Sequence, residues 1–531
     1  MTTPVANTLY GRISGSIEDD ILVFRGIPYG DTVSGSNRFT PPRPPQPWSG
    51  IREALHFGPT APQLGHAEAG GSAPQSEEAA KRAKIFGELI HNMAGDEPAQ
   101  GEDCLVLNVW TKSLEANRSR AVMVWIHGGA FETGSGSWPL YDGKALAARD
   151  DAIVVTLNHR LGPLGFLDLR AYDQSCDSSG NLGMLDIVQA LRWIQNNIAN
   201  FGGDPNKVMV FGSSGGASKI STLMAMPAAK GLIHRAAMMS GPYIRARSED
   251  YAQRITAQLV KQLNIGDEPI AALRELPPEV LLKEVKQLSV PIDAGLASSA
   301  SPEAFMPMQP VLHPDILPAH PMDPIASPHG PDIPVMIGST KDDMKMMMLT
   351  MPWFNTIDDN GLEGIAQATF GEHYRQFLDT YRSLYPDASP TELACQFVTD
   401  RVMWSGSIDW AERRLKAKGA PVYFYRFDYE TPVMDGLLGA THGGDIPFAM
   451  NNYNCTEIAG DRPENAAMGK QTSDAFVAFA HNGTPETAEI GEWPAYTLEE
   501  RATMLLDVQC KVTRDPMKRL RELFAKMRGD S

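Results

Sequence analysis

The stretch KVMVFGSSGGASKISTLMAM, residues 207–226, predicts a strand, a tight turn and a helix in immediate succession. Its turn, GSSGG at residues 212–216, is the only Gly-x-Ser-x-Gly pattern in the chain. The glycines on either side of Ser214 remove side chains that would clash in a strained strand-to-helix turn, so the hydroxyl stands clear of the sheet. The free N–H groups that begin the helix point to the same place. This context indicates a nucleophilic serine.

A second glycine-rich turn follows the predicted strand in AVMVWIHGGAF, residues 121–131. Its backbone N–H groups can turn toward a negative oxygen together with the N–H of Gly215, which is what a serine nucleophile requires beside it. His127 in this turn precedes the serine along the chain. We therefore expect it to hold the turn by hydrogen bonding rather than to act as the base.

The base is predicted to follow the serine, just after a strand. His442 meets both conditions, because it lies in GATHGGDIPF, residues 439–448, beyond an apolar strand predicted at 421–427. Its glycine-rich loop can bring an imidazole to Ser214. Surface or structural roles suit the other late histidines better: His313, His320, His329 and His481.

The orienting acid is predicted in STKDD, residues 339–343, directly after the apolar run IPVMIG at 333–338. Asp342 and Asp343 are adjacent, and their side chains should point in different directions. Only one of them can meet the imidazole, and the residues alone leave the choice open.

Short apolar runs that alternate with helical stretches predict an α/β fold, with a large central, mostly parallel sheet flanked by helices. The predicted core strands are 121–126, 152–157, 207–211, 333–338 and 421–427, with a crossover helix over 181–200. Residues 5–13 and 21–30 are predicted to form an antiparallel edge leading into this sheet. We expect one domain over 1–531, with insertions near 62–100 and 245–330 that shape the active-site entrance.

Composition excludes several classes of function. The formal charge of -17 is spread along the chain, which disfavours binding to nucleic acid or to anionic membranes. The five cysteines are odd in number and irregularly spaced, so neither a zinc site nor a disulfide framework is indicated, and no metal or cofactor is expected. Without a signal-like or membrane-spanning apolar segment, a cytoplasmic location is predicted. The sequence leaves the oligomeric state undetermined.

Many segments, in this order and spacing, resemble the type B carboxylesterase and cholinesterase family of the α/β-hydrolase fold, over most of the chain. They are FRGIPYG (24–30), RFTPPRPPQPW (38–48), GEDCLVLNVW (101–110), NHRLGPLGF (158–166), the run from GNLGMLDIV to FGSSGG (180–216) and HGGDIPF (442–448). The family is one of ester hydrolases with helical insertions over the active site. The resemblance therefore implies a carboxylesterase.

Residue by residue, the resemblance implies a catalytic triad of Ser214, Asp343 and His442. It also implies an oxyanion hole formed by the backbone N–H groups of Gly129, Ala130 and Gly215. Two further features are carried over in the same way, an ion pair between Arg38 and Glu102 and a supporting Ser240.

The chain departs from the family's pattern at three places. Where relatives usually have Gly-Glu-Ser-Ala-Gly, this chain has Ser213 and Gly215, so a carboxylate common beside the nucleophile is missing. The acid Asp343 is one methylene shorter than the usual glutamate. Cys104 lies where secreted relatives close a disulfide loop, but no cysteine precedes it here. The missing partner supports the cytoplasmic prediction.

Three functional hypotheses follow. In the first, a small-molecule ester is cleaved through an acyl-enzyme intermediate. In the second, the chain is an adhesion or scaffold module, against which the intact Ser214, His442 and oxyanion turn argue. The third keeps the chemistry but changes the substrate to a carbamate, an aryl amide or a lipid. A methionine-rich run at 344–351 could line an apolar substrate pocket or simply fill gaps around a buried helix.

Overall fold

The computed structural model describes residues 3–65, 76–115, 119–149, 151–242, 245–266, 268–288 and 307–529. Its strands are β1 (Val5–Thr8), β2 (Gly11–Ser14), β3 (Ser16–Glu18), β4 (Ile21–Pro28), β5 (Ile51–Glu53), β6 (Val106–Thr111), β7 (Arg120–Trp125), β8 (Ala152–Leu157), β9 (Gly203–Ser213), β10 (Arg235–Met239), β11 (Val335–Thr340), β12 (Val422–Phe427), β13 (Ala502–Leu506) and β14 (Lys511–Arg514).

The helices that accompany them are α1 (Glu77–Ala94), α2 (Lys144–Ala147), α3 (Gly162–Phe166), α4 (Leu182–Asn197), α5 (Gly215–Leu223), α6 (Glu249–Gln262), α7 (Pro269–Glu275), α8 (Pro278–Lys286), α9 (Lys345–Met348), α10 (Asp359–Phe370), α11 (Tyr374–Leu384), α12 (Pro390–Thr399), α13 (Ser405–Lys416), α14 (Ile446–Ala449), α15 (Asn465–Asn482) and α16 (Lys518–Arg528). Within the described ranges, none of them combines the length and the apolar character that crossing a bilayer requires.

Among the described residues, eleven strands form one sheet in the order β14-β13-β12-β11-β10-β9-β7-β8-β6-β4-β3. Neighbours run parallel from β13 to β8, and antiparallel strands close both sides. Every residue of β7 and β8 is buried, as expected of strands covered on both faces. The prediction of a large, mostly parallel sheet is confirmed.

The predicted core strands agree with the observed ones. Residues 152–157 coincide with β8, the runs predicted at 121–126, 333–338 and 421–427 are shifted by two residues or fewer, and 207–211 lies inside the longer β9. The prediction at the N-terminus is partly wrong. Residues 5–14 do not join the large sheet but form a separate three-stranded sheet with β5, because the chain returns across them and pairs Arg12 with Ile51.

Helices cover both faces of the large sheet. The predicted crossover helix, α4, connects β8 to β9 across the intervening β7 and buries Trp193 and Ile194 completely. Removing each of these side chains from water is worth about 2 to 3 kcal/mol. On the opposite face, α15 packs Phe476 and Phe479 against a second apolar cluster. Helices packed on both faces therefore hold the sheet in place, and with it the residues at the ends of its strands.

Polar side chains gather where five neighbouring parallel strands end. His127 follows β7, Ser214 follows β9, Ser240 follows β10, Asp343 follows β11 and His442 lies in the loop beyond β12. These strands are consecutive in the sheet, and the carboxyl ends of parallel strands lie at one edge. In open α/β sheets this edge is where ligands bind.

Candidate active site

Ser214 lies in the turn between β9 and α5, with a φ of 58° and a ψ of -126°. A positive φ is uncommon for a residue other than glycine, and strained conformations of this kind cost about 1 to 3 kcal/mol. Two hydrogen bonds hold the strained turn: the Ser214 N–H donates to Met239 O at 2.9 Å, and Ser214 O accepts from the Ser218 N–H at 3.1 Å. The surrounding structure thus fixes the backbone from which the Ser214 hydroxyl projects.

His442 and Asp343 are joined by two hydrogen bonds. The imidazole Nδ1 donates to Asp343 Oδ1 at 2.5 Å, and the His442 backbone N–H donates to Asp343 O at 3.0 Å. Asp343 is fully buried, and its second oxygen accepts from Ser240 Oγ at 2.6 Å and from the Thr340 N–H at 3.0 Å. With Nδ1 engaged, Nε2 of His442 is the nitrogen left to accept a proton.

Asp342 points elsewhere and has a different role. Its Oδ2 accepts from the Ala440 N–H at 3.0 Å, and its own N–H donates to Ala440 O at 2.9 Å. Burial raises its pKa above the usual range. Asp342 therefore holds the loop that carries His442 in place. Both of its hydrogen bonds are to the Ala440 backbone and neither involves the imidazole.

The environment of His442 sets its proton affinity. Burial alone would lower its pKa, but the charge of Asp343, the hydrogen bond from Nδ1 to it and the charge of Asp445 together raise the pKa above the ordinary value of 6.5. An imidazole next to a buried carboxylate is a stronger base than one in water.

Two turns pack against each other beside Ser214. Gly129 and Ala130 have positive φ values of 81° and 52°, and a Cβ placed on Gly215 would lie only 2.5 Å from Ala130 N. Only glycine allows that approach. Within the described residues, the N–H groups of Gly129, Ala130 and Gly215 donate to no protein acceptor. These three donors are available to an anionic oxygen.

The structure brings Asp343 to His442 and Gly215 to Ala130, but it does not join Ser214 to His442 directly. Across the described ranges, no hydrogen bond connects the Ser214 hydroxyl to the imidazole. Catalytic hydrogen bonds are often long before substrate binds, so this geometry leaves the pair free to align on a substrate.

The sequence model of the carboxylesterase family matches residues 2–523. The chain belongs to the carboxylesterase family. It is 33% identical to para-nitrobenzyl esterase of Bacillus subtilis over 533 residues, covering 100% of both chains, and 33% identical to phenmedipham hydrolase of Pseudarthrobacter oxydans over 97% of each. The solved structure of a Geobacillus stearothermophilus carboxylesterase matches with a TM-score of 0.81 at 34% identity, over 98% of this chain and 99% of that one. The protein is a carboxylesterase, and ester hydrolysis is its reaction.

Both features carried over from the family are present in this carboxylesterase. Ser240 makes the hydrogen bond to Asp343 described above, and the second feature is an ion pair. Arg38 and Glu102 form a two-point ion pair, with Nε to Oε2 at 2.7 Å and Nη2 to Oε1 at 2.6 Å. Nη1 of Arg38 also donates to the carbonyls of Leu273 and Leu276 at 2.9 and 2.6 Å. The pair therefore ties the segment after residue 245 to the body of the enzyme.

Sequence analysis missed Asp445, a buried carboxylate close to the proposed base. Its Oδ2 accepts from the Tyr425 hydroxyl at 2.8 Å, and burial, reinforced by the charge of Asp343, raises its pKa to about 6. The signal available in the sequence was the acidic residue that follows His442 by three positions in HGGDIPF. The Ser213 hydroxyl, at the position where relatives carry glutamate, is buried without a hydrogen-bond partner in the described part of the chain.

The sequence left two alternatives for the methionine run, lining a substrate pocket or filling gaps around a buried helix, and its residues differ in which of these they suit. Met344 and Met346 are buried, with Met346 inside an apolar cluster, while Met347 and Met348 are partly exposed and pack against the same cluster. The helix α9 is thus anchored on one side by gap-filling thioethers. Its exposed side remains a candidate for substrate contact.

Proposed function

We propose that this carboxylesterase hydrolyses small carboxylic esters through an acyl-enzyme, with Ser214 as nucleophile, His442 as general base and Asp343 as the acid that orients it. The observation that carries this assignment is the hydrogen bond from His442 Nδ1 to the buried Asp343 carboxylate, at the same sheet edge as the strained turn of Ser214. A carboxylate in this position fixes the imidazole tautomer whose Nε2 accepts a proton.

In the first half of the reaction, Ser214 Oγ attacks the ester carbonyl carbon while His442 Nε2 takes the hydroxyl proton. The carbonyl oxygen becomes an oxyanion, which accepts hydrogen bonds from the N–H groups of Gly129, Ala130 and Gly215. Collapse of this intermediate breaks the ester C–O bond, and His442 returns the proton to the departing alcohol. Water then repeats the sequence on the acyl-serine, releasing the acid and restoring Ser214.

The entrance to the site is proposed to be shaped by the two segments near 62–100 and 245–330, of which 66–75, 267 and 289–306 lie outside the described residues. In the first, Met93 of α1 reaches to 3.7 Å from the Cβ position of Gly443, next to the proposed base. Arg82 of the same helix donates from Nε to Leu349 O at 2.9 Å, just after α9. Contacts of this kind support a role for α1 in forming the pocket wall.

The substrate class is proposed by analogy with para-nitrobenzyl esterase, a relative that matches over the whole chain. Para-nitrobenzyl and p-nitrophenyl esters of increasing acyl length are therefore the first substrates to measure. Matched carbamates, aryl amides and long-chain lipids belong in the same panel, because the same acyl-transfer chemistry serves them.

The cytoplasmic location stays a prediction. All five cysteines are free thiols.

A fluorophosphonate reagent is expected to add once to the protein and abolish turnover, because an activated serine beside an oxyanion hole is what such reagents trap. Intact-mass spectrometry measures the stoichiometry, and fragment-ion sequencing of the modified peptide separates Ser214 from its neighbour Ser213. A Ser213→Ala variant should still be labelled. Absence of any adduct, under conditions that label a known esterase, would favour the scaffold hypothesis over catalysis.

Turnover is expected to fall as the pH is lowered through the raised pKa of His442, because an imidazolium cannot take the Ser214 proton. Since Asp343 and Asp445 raise that pKa, the acidic limb of kcat/KM should lie above the value of 6.5 for an ordinary histidine. A pH profile from about 5 to about 9, which covers the range in which histidines titrate, measures it in a buffer series of constant ionic strength. A flat profile across this interval would contradict a histidine base.

A further inference from the structure

Three basic side chains lie buried beneath the oxyanion turn, and the proposed reaction does not use them directly. Lys219 and His159 have 0% exposure and His127 has 1%. Lys219 belongs to α5, five residues after Ser214, while His127 and His159 follow β7 and β8. In the described ranges, no carboxylate forms an ion pair with Lys219, and no nearby charge offsets the effect of burial on its pKa. A lysine buried without a counter-charge is costly, so its presence calls for a compensating role.

Lys219 makes one specific hydrogen bond inside this cluster. Its Nζ donates to the backbone carbonyl of His127 at 2.9 Å and lies 5.6 Å from the centre of the Phe131 ring. Burial lowers the pKa of Lys219 to about 7. Both the ammonium and the neutral amine carry N–H groups, so the bond to the carbonyl persists in either protonation state.

His127 continues the connection toward the oxyanion donors. Its Nδ1 donates to Gly128 O at 2.9 Å, and the ring stacks on His159 with the centroids 4.7 Å apart and the planes 9° apart. Burial, with the nearby Lys219 charge, lowers the His127 pKa to about 3, so the ring is neutral. The peptide group that accepts this hydrogen bond through Gly128 O is the one whose N–H belongs to Gly129.

We propose that Lys219 is a positioning residue for the oxyanion hole. Through His127, it fixes the peptide planes of residues 127–130 so that the Gly129 and Ala130 N–H groups face the reacting carbonyl. Hydrogen bonds in series also polarise one another, so donation to Gly128 O strengthens the Gly129 N–H as a donor. This inference rests on the proposed oxyanion hole, and it assigns Lys219 no contact with substrate.

A role confined to core packing does not account for Lys219. Its neighbours on α5 that face the core, such as Ile220 and Leu223, are apolar and fully buried. An apolar side chain at position 219 would fill the same volume without the cost of burying an amine. The Lys219 amine donates a hydrogen bond to the His127 carbonyl in the oxyanion turn, and a methyl group cannot make that bond.

The test is Lys219→Met, which keeps an unbranched side chain of similar length and removes the N–H donors. We expect kcat on a p-nitrophenyl ester to fall by about 10- to 100-fold, less than the loss of a direct oxyanion donor, with KM changed by less than about 3-fold. Affinity for a trifluoromethyl ketone should fall by a similar factor, because its serine adduct places an oxyanion in the same site. A purely structural lysine would not move kcat and this affinity together.

Ser221→Ala is the matched control on the same helix. Ser221 Oγ accepts from Trp410 Nε1 of α13 at 3.0 Å, a bond that involves no residue of the oxyanion turn, so its loss should lower the Tm while leaving kcat and the ketone affinity unchanged. Should Lys219→Met not fold, Lys219→Gln replaces it, with an amide donor one atom shorter and a smaller expected loss.

Unchanged kcat and ketone affinity in a folded Lys219 variant would overturn the inference, as would losses no larger than those of Ser221→Ala at an equal drop in Tm. Wild-type turnover and labelling at Ser214 are measured first and judge the proposed function separately. If the wild type neither turns over nor forms the adduct, the proposed function fails. If the wild type is normal and Lys219→Met is too, only the role of Lys219 fails.

Discussion

Replacement of Ser214 by alanine is expected to lower kcat by about 10⁵- to 10⁶-fold, which is the loss seen when a triad nucleophile is removed. Alanine carries no Oγ to attack the ester, so only oxyanion binding and orientation remain. The fold should survive, because the hydrogen bonds that hold this turn involve the Ser214 backbone N–H and carbonyl, which alanine retains. Steady-state kinetics on a p-nitrophenyl ester measure the loss, and circular dichroism with a Tm checks the fold.

The control is Ser213→Ala. The Ser213 hydroxyl is buried and has no hydrogen-bond partner in the part of the chain that the structure describes, so its removal should change kcat by less than about 10-fold. Turnover by Ser214→Ala above about 1% of wild type, with contaminating esterases excluded, would place the nucleophile elsewhere, since a triad serine contributes far more than that.

Asp343→Asn is expected to lower kcat by about 10³- to 10⁴-fold while leaving the fold intact. An amide of the same shape carries no negative charge, so it neither holds His442 in the tautomer with a proton on Nδ1 nor stabilises the imidazolium. The loss also predicts a shift in pH dependence. Because Asp343 raises the His442 pKa, the acidic limb of the residual activity should move to lower pH in this variant.

Asp342→Asn is the matched neighbour, and it should cost less than about 10-fold, since the side-chain oxygen of asparagine can still accept from the Ala440 N–H. The comparison needs both variants at equal Tm. If Asp342→Asn abolishes turnover and Asp343→Asn spares it, the acid has been assigned to the wrong residue of the pair.

The alternation of apolar runs and helices was enough to predict the sheet. The run at 152–157 coincides with β8, and the helix predicted at 181–200 contains α4, because strands and helices buried on a large core carry their period and apolarity in the local sequence. The N-terminal residues did not follow this rule. Short strands such as β1 and β2 bury few side chains, so the choice between two sheets depends on which distant segment, here β5, pairs with them.

At the site, the sequence by itself determined the kinds of groups that would meet: a serine and a histidine in glycine-rich turns at strand ends, and a family whose members cleave esters. The residues alone left open which of two adjacent aspartates meets the imidazole, and the family resemblance implied Asp343. The tertiary structure supplies the physical reason: Ser240, just after β10, and Thr340 of β11 donate to the Asp343 carboxylate, while the loop that carries His442 binds Asp342. The sequence likewise did not predict that Lys219 is buried against the His127 carbonyl, since a single lysine in a helix adds no recognisable pattern to the sequence. Hydrogen bonds between groups distant in sequence depend on the packing of whole elements, and only the folded chain specifies them.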